Sequence, residues 1–96
     1  MEVKNMRTAW LIIKDEDWFY EDRNYDIDIF DTLESANAFF KDYVNIIRDQ
    51  LKYDIGPDAE DDIEETANEN YHCFYVEDMC SIEIYIKEKD IMSYEE

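Results

Sequence analysis

Glycine and proline are almost absent from this sequence: among its 96 residues, Gly56 and Pro57 are the only residues of either type. Phosphate-binding loops such as G-x-G-x-x-G and Walker A need several glycines close together, so the sequence excludes loops of these kinds.

No apolar run approaches the ~20 residues of a membrane-spanning helix. Residues 1–14 have neither the apolar core nor the small-residue cleavage site of a signal peptide. We therefore expect a soluble, cytoplasmic protein.

Histidine and cysteine are also scarce. His72 is the only histidine, and Cys73 follows it. Adjacent side chains on a strand point to opposite faces, so these two residues do not suit a catalytic dyad. Cys80 would lie diagonal to Cys73 across a Glu77-Asp78 turn, about 7–8 Å away, whereas disulfides need about 5.5–6 Å. We expect free thiols rather than a disulfide or a zinc site, and neither an enzyme nor a cofactor.

Basic residues are heavily outnumbered: nine Lys and Arg face 27 Asp and Glu, for a formal net charge of −18. Two blocks carry most of it, residues 15–31 with −7 and residues 54–70 with −8. Nucleic acids and cytoplasmic membrane surfaces are themselves negative, which disfavours direct binding to either. Repulsion among so many negative charges opposes folding into a compact domain. A folded protein that keeps this excess charge therefore needs a reason, and binding to an electropositive protein is the one we favour.

The acidic blocks do not have the spacing of a dedicated metal site. An EF-hand loop needs carboxylates at alternate positions followed by a glycine, and neither 58–65 nor 15–28 contains a glycine. Such surfaces attract hard cations weakly and without specificity. We therefore expect no bound metal.

The remaining composition indicates a folded protein. The chain is 46% hydrophobic and 16% aromatic, whereas disordered acidic segments are poor in such residues. A chain of this length supports one modest core. We predict a single domain over residues 1–96, with 89–96 as a frayed tail.

The first half of the chain predicts a hairpin. Residues 8–13 (TAWLII) are apolar on both faces, which is typical of a central strand. Residues 25–30 (YDIDIF) alternate, with Tyr25, Ile27 and Ile29 on one face. We expect that face to be buried, and the two intervening aspartates to form an acidic outer face.

A long helix follows the hairpin. Asp31 is the predicted N-cap, with Glu34 completing a capping box, and the helix should run to Tyr53 before Gly56-Pro57 ends it. Its buried face recurs at three- and four-residue steps. The residues of that face are Leu33, Ala36, Phe40, Val44, Ile47 and Leu51.

The second half predicts another hairpin after an acidic segment. Residues 58–70 fit either a short helix or an acidic loop. The strands would be 71–76 and 81–87, joined by a two-residue turn. That register places Tyr71, Cys73 and Tyr75 with the isoleucines that face the helix. Phe74, Val76 and Tyr85 would then form an apolar outer face, through which a homodimer could assemble.

Together these elements predict an α+β domain of the order β-β-α-(α)-β-β. It would be a four-stranded antiparallel sheet of two hairpins, with one long helix packed on one face and a short acidic helix as an option. The pattern does not fix the strand order.

The candidate partner-binding surface consists of the acidic residues of both blocks and one tryptophan. Trp18 stands between acids and could anchor a complex, or it could complete the core at the end of the hairpin. The full set is Asp15, Glu16, Asp17, Trp18, Glu21, Asp22, Asp26, Asp28, Asp58, Glu60, Asp61, Asp62, Glu64, Glu65 and Glu69.

The two blocks, DEDWFYED at 15–22 and DAEDDIEE at 58–65, give the chain a class-level resemblance to known inhibitors. In size, acidity and lack of catalytic residues, it resembles the small DNA-mimic anti-CRISPR and anti-restriction proteins of phages and mobile elements. The resemblance implies a noncatalytic inhibitor that fills the basic nucleic-acid groove of a nuclease or CRISPR effector. Immunity proteins that neutralise toxin nucleases are similar in size and charge and provide one alternative. A small acidic adaptor or homodimeric interaction module is the other.

Overall fold

The computed structural model describes residues 3–21 and 23–95, and it consists of one antiparallel sheet with a long helix on one face. The helix α1 spans Leu33–Ile55, and a 3-10 segment, Pro57–Asp62, follows it. The strands are β1 (Val3–Trp18), β2 (Arg23–Phe30), β3 (Ile63–Asn68), β4 (Tyr71–Val76) and β5 (Cys80–Glu95). Their order across the sheet is β2-β1-β5-β4-β3. The predicted α+β class, antiparallel sheet and long helix are confirmed, but the sheet has five strands rather than four.

The helix follows its sequence pattern closely. The buried side chains of α1 are those of Ala36, Phe40, Val44, Ile47 and Leu51. Its N-cap is Thr32, one residue after the predicted Asp31, because the Thr32 hydroxyl accepts a hydrogen bond from the Ser35 N–H. Gly56 ends the helix with φ of 86°, a value that residues with a side chain rarely adopt.

The hydrophobic core lies between α1 and one face of the sheet, which we call the helix face. Ile12 of β1, Phe74 of β4, and Ile82 and Ile84 of β5 are almost completely buried there. The opposite side, which we call the open face, carries no helix. Ile13 and Tyr85, directly paired on neighbouring strands, lie on it.

The two central strands are longer than predicted. β1 and β5 pair along their whole length, from Val3 with Glu95 to Trp18 with Cys80. The predicted tail is therefore strand as far as Glu95, and Glu96 lies outside the described residues. The ladder of backbone hydrogen bonds orders this segment, although its sequence is mostly polar. The ribbon extends past the helix and gives the molecule extents of 63 × 27 × 18 Å.

The prediction that β2 buries its apolar face and has an acidic outer face is wrong. Tyr25, Ile27 and Ile29 lie on the open face and are 55%, 50% and 64% exposed. The register pairs Ile27 with Ile13 and places Asp26 and Asp28 toward the helix face. Alternation shows which residues share a face, whereas the position of the helix decides which face is covered.

The second hairpin is shifted by one residue from the predicted register. The Met79 N–H donates to the Val76 carbonyl, and Asp78 adopts a left-handed φ of 61°, so Val76 pairs with Cys80. Asp tolerates this conformation better than most residues with a side chain. Phe74 and Val76 therefore point into the core, at 0% and 3% exposure. They cannot form the proposed homodimer surface with Tyr85, which lies on the open face.

The same shift separates the cysteines. Cys73 pairs with Glu83 on the open face, whereas Cys80 is buried on the helix face. Two thiols on opposite faces of a sheet cannot be joined, so the prediction of free cysteines is confirmed. Burial, followed by the charge of Glu16, raises the pKa of the Cys80 thiol to about 11.

The acidic segment 58–70 is neither a full helix nor a loop. A 3-10 segment occupies Pro57–Asp62, and β3 continues as the edge strand of the sheet. Ile63 is the only partly buried residue of β3 and pairs with Val76. Pairing with β4 therefore determines the strand, since its composition (IEETAN) favours strand only weakly.

Candidate functional site

Several acidic segments meet at one end of the sheet. The β1–β2 turn lies beside the β4–β5 turn, because the Phe19 N–H donates to the Met79 carbonyl at 3.1 Å. The 3-10 segment arrives at the same end, where Ile63 pairs with Val76. The C-terminal turn of α1 is also there, with Asp54 lining an open cleft beside Trp18 and Glu21.

We call this surface the acidic end. Its members come from both acidic blocks, from the last turn of α1 and from the β4–β5 turn. They are Asp17, Glu21, Asp54, Asp58, Glu60, Asp61, Asp62, Glu64, Glu77 and Asp78.

Most carboxylates of the acidic end lack a counterion. Glu60 pairs with Lys52 at 3.3 Å. Among the side chains that the structure describes, the other nine members form no ion pair. Five strands spaced about 4.8 Å apart make this end about 20 Å wide, so the charges are crowded within about two Debye lengths at physiological salt. The acidic end is thus a concentrated source of negative potential.

Just behind the acidic end, two predicted site residues are partly neutralised. Arg23 donates two hydrogen bonds to Asp15, at 2.8 and 2.6 Å, and these hold the pKa of Asp15 below its usual range. Glu16 pairs with Lys14 at 3.2 Å and accepts a hydrogen bond from the indole of Trp18. Asp15 and Glu16 therefore stabilise the β1–β2 hairpin, and their charges are partly neutralised.

The aromatic residues of the β1–β2 turn divide between core and surface. Trp18 packs against the core, in agreement with the interpretation that it completes the core at the end of the hairpin. Phe19 is exposed and lies 6.4 Å from the Tyr75 ring, centroid to centroid, and Tyr20 is 87% exposed. Phe19 and Tyr20 are therefore the aromatic side chains of this turn that a partner could contact.

Some predicted site residues lie away from the acidic end. Asp26 and Asp28 lie within β2, and Asp26 pairs with Lys14 at 3.1 Å. Glu69 lies in the β3–β4 turn, about five residues of strand away from the end. Asp22 is outside the described residues.

Glu65 is fixed inside a structural cluster on the helix face. Arg48 donates to both of its carboxylate oxygens, at 2.8 and 3.0 Å. His72 Nε2 lies 2.6 Å from the same carboxylate. The bonds from Arg48 and then His72 lower the pKa of Glu65. The cluster ties β3 and β4 to α1.

Sequence reasoning missed three members of the acidic end. Asp54 is the first residue of the block 54–70 but was not among the predicted site residues, and Glu77 and Asp78 lie outside both blocks. The three come close to the others only because a helix end and a turn meet there. The Glu77-Asp78 turn was visible as a turn dipeptide, but its neighbourhood depends on strand order, which the pattern left open.

The chain matches no protein-family model, no curated protein sequence and no solved structure. Within residues 3–21 and 23–95, no group of three or more His, Cys, Asp or Glu side chains is placed to hold a metal ion. The described part of the chain also contains no helix with the length and apolarity needed to cross a bilayer.

Proposed function

We propose that this protein is a noncatalytic inhibitor whose acidic end docks on the basic, nucleic-acid-binding surface of a nuclease or CRISPR effector. The observation that carries the proposal is the convergence of separate acidic segments at one end of the sheet. Crowded carboxylates of this kind steer a cationic partner by long-range attraction and can replace the phosphates of a nucleic acid.

Two features of the acidic end favour a specific complex over a merely solubilising surface. The strands, the helix end, the 3-10 segment and both turns hold the carboxylates on hydrogen-bonded backbone, so little order is lost on binding. Phe19 and Tyr20 add exposed aromatic area beside the charges. Aromatic anchors of this type supply much of the energy at protein interfaces.

The proposal is tested by measuring inhibition and affinity against a panel of purified CRISPR effectors, restriction nucleases and toxin nucleases. We expect one member to bind, and binding to compete with its nucleic acid. Affinity should fall at least about tenfold from low salt to several times physiological ionic strength, because the attraction is largely electrostatic. Inhibition confined to a toxin nuclease would identify an immunity protein. Salt-independent affinity for the bound member would contradict the proposal.

Matched neutralisations locate the surface. Asp58→Asn, Asp61→Asn and Asp62→Asn together remove three charges from the acidic end. Asp31→Asn, Asp42→Asn and Glu69→Gln remove three exposed charges elsewhere. The first variant should weaken inhibition at least tenfold and the second should change it less than about twofold, because each close charge pair contributes on the order of 1 kcal/mol or more. Equal losses in both variants would remove the acidic end from the mechanism.

A further inference from the structure

The open face of the sheet carries an apolar belt over which no helix or strand of residues 3–21 and 23–95 packs. Across the three neighbouring strands β2, β1 and β5, Ile29 pairs with Leu11, Ile27 pairs with Ile13, and Ile13 pairs with Tyr85. Ile27 and Ile29 are at least half exposed, Leu11 and Tyr85 are half-buried, and Ile13 is buried among these neighbours. A contiguous apolar surface of this kind on a small, highly charged protein indicates an interaction site.

The belt lies between charges of opposite sign. Toward the free end of the β1–β5 ribbon, the open face carries Arg7, Lys87 and Lys89, because Lys87 pairs with Leu11 and Lys89 with Ala9. All three side chains are exposed, and none forms an ion pair with a side chain that the structure describes. Toward the acidic end, the same face carries Asp17 and Glu83, with Glu83 paired across from Asp15. Arg23 also lies on this part of the face, where its ion pair with Asp15 leaves Asp17 and Glu83 as the net charge.

This order of charges makes the open face complementary to itself. A two-fold axis in the plane of the interface, running across the strands at the level of Ile12, reverses the strand direction and keeps each strand above its own copy. The register then places Leu11 over Ile13 of the second copy and Lys89 over Glu83 of the second copy. Arg7 is placed over Asp17 of the second copy. Each contact occurs twice, as an isologous interface requires.

We propose that the protein forms a symmetric homodimer in which the open faces of two copies pack together in this register. Packed sheets lie about 10 Å apart with strand directions within about 30° of each other, and long Lys and Arg side chains can span the resulting offset. The partner that fits the open face is a second copy of the chain, because this one surface carries the apolar belt and charges of both signs. The opposite charges lie at equal distances on either side of the two-fold axis.

The size of the belt and the net charge set the strength of the dimer. Three strands over ten residues of β1 give a footprint of roughly 500 Å² per copy, or about 1,000 Å² in total, near the lower limit for a specific interface. Two bodies of charge −18 also repel each other. The dimer is therefore concentration-dependent. The rest of the acidic end stays free at both extremities, so the dimer is independent of the proposed inhibition.

Sedimentation velocity on the whole chain over a range of concentrations tests the proposal. We expect a reversible dimer that Lys89→Glu and Glu83→Lys each weaken at least tenfold, because each substitution places like charges in contact twice. An equimolar mixture of the two variants should dimerise more tightly than either variant alone, since the mixed dimer regains both opposite-charge contacts. Lys41→Glu, with the same charge change on the exposed side of α1, should have little effect.

Ile27→Ser provides a second, charge-neutral probe of the exposed belt and should also weaken the dimer. Circular dichroism verifies that each variant remains folded. A protein that stays monomeric at the highest soluble concentration would overturn the proposal. So would a dimer that Lys89→Glu leaves unchanged, or variants whose mixture associates no better than each alone. None of these results bears on inhibition by the acidic end, which is measured separately.

Discussion

Glu65 shows how a carboxylate inside an acidic block can serve the fold rather than a partner. Its neighbour Glu64 faces the other side of β3 and is exposed, whereas Glu65 contacts Arg48 on α1 and His72 on β4. Both residues have the same charge and lie in the same block. Their different roles follow from strand alternation, which places only one of them within reach of the helix.

We expect Glu65→Gln to lower the free energy of unfolding by about 1 kcal/mol at neutral pH, because a partly exposed charged pair contributes modestly. The folded pKa of Glu65 is lowered, so its stabilising effect is present above the usual carboxyl pKa of 4.5 and is lost as the pH falls through the lowered value. Urea unfolding of both proteins at neutral and acidic pH measures this.

Glu64→Gln is the matched control, since it removes the same charge one residue away without breaking an ion pair. It should change stability only slightly at any pH. A difference between wild type and Glu65→Gln that persists unchanged well below pH 4.5 would show that the charge of Glu65 is not what stabilises the cluster.

At the scale of elements, the helix was predictable and the faces of the strands were not. The burial of Phe40, Val44 and Ile47 follows from spacing alone, because a helix presents one stripe to whatever covers it. The alternation in β2 correctly grouped Tyr25 with Ile27, but edge position and helix placement left that group on the open face. Those two properties depend on the whole sheet.

A single residue in a turn explains the error in the second hairpin. The prediction assumed two residues between paired positions, whereas Asp78 in a left-handed conformation allows three, from Glu77 to Met79. Because side chains alternate with period two, a one-residue slip exchanges the faces of a strand relative to its partner. Phe74 and Tyr75 thereby exchange places between core and surface.

The observed register predicts unequal losses of stability for substitutions at two adjacent aromatic residues. Phe74→Ala should lower the free energy of unfolding by about 3–5 kcal/mol, because it empties a fully buried site. Tyr75→Ala should cost less than about 1 kcal/mol, since its side chain is exposed on the open face. Chemical denaturation distinguishes the two. The reverse ranking would instead support the two-residue turn, which places Tyr75 in the core and Phe74 on the surface.

At the scale of the whole molecule, the sequence predicts the excess of acidic residues but not their concentration at one end of the sheet. Residues 15–22 and 58–65 stand out as acidic in the chain. Their meeting at one end depends on the contact between Phe19 and Met79 and on the pairing of β3 with β4. Both are tertiary contacts with no local signal in the sequence. Strand order thus brings the carboxylates of the acidic end together, and it thereby causes the repulsion between them.

That repulsion should be measurable as a salt-dependent stability. Like charges about 10 Å apart in water repel by roughly 0.4 kcal/mol per pair, and added salt screens them. We expect the free energy of unfolding to rise with sodium chloride concentration. Neutralising Asp58, Asp61 and Asp62 to Asn should raise stability at low salt by about 1–2 kcal/mol and flatten the salt dependence, because these three side chains lie among the unpaired carboxylates of the acidic end.

The variant that neutralises Asp31, Asp42 and Glu69 separates focused charge from total charge. It has the same net charge as the first variant, but its three sites lie apart from the acidic end. If the repulsion is concentrated where the turns meet, this variant gains less stability at low salt and retains most of the salt dependence. Identical curves for the two variants would mean that only the total charge matters. The acidic end would then hold no excess potential with which to attract a cationic partner, and the proposed inhibition would lose its physical basis.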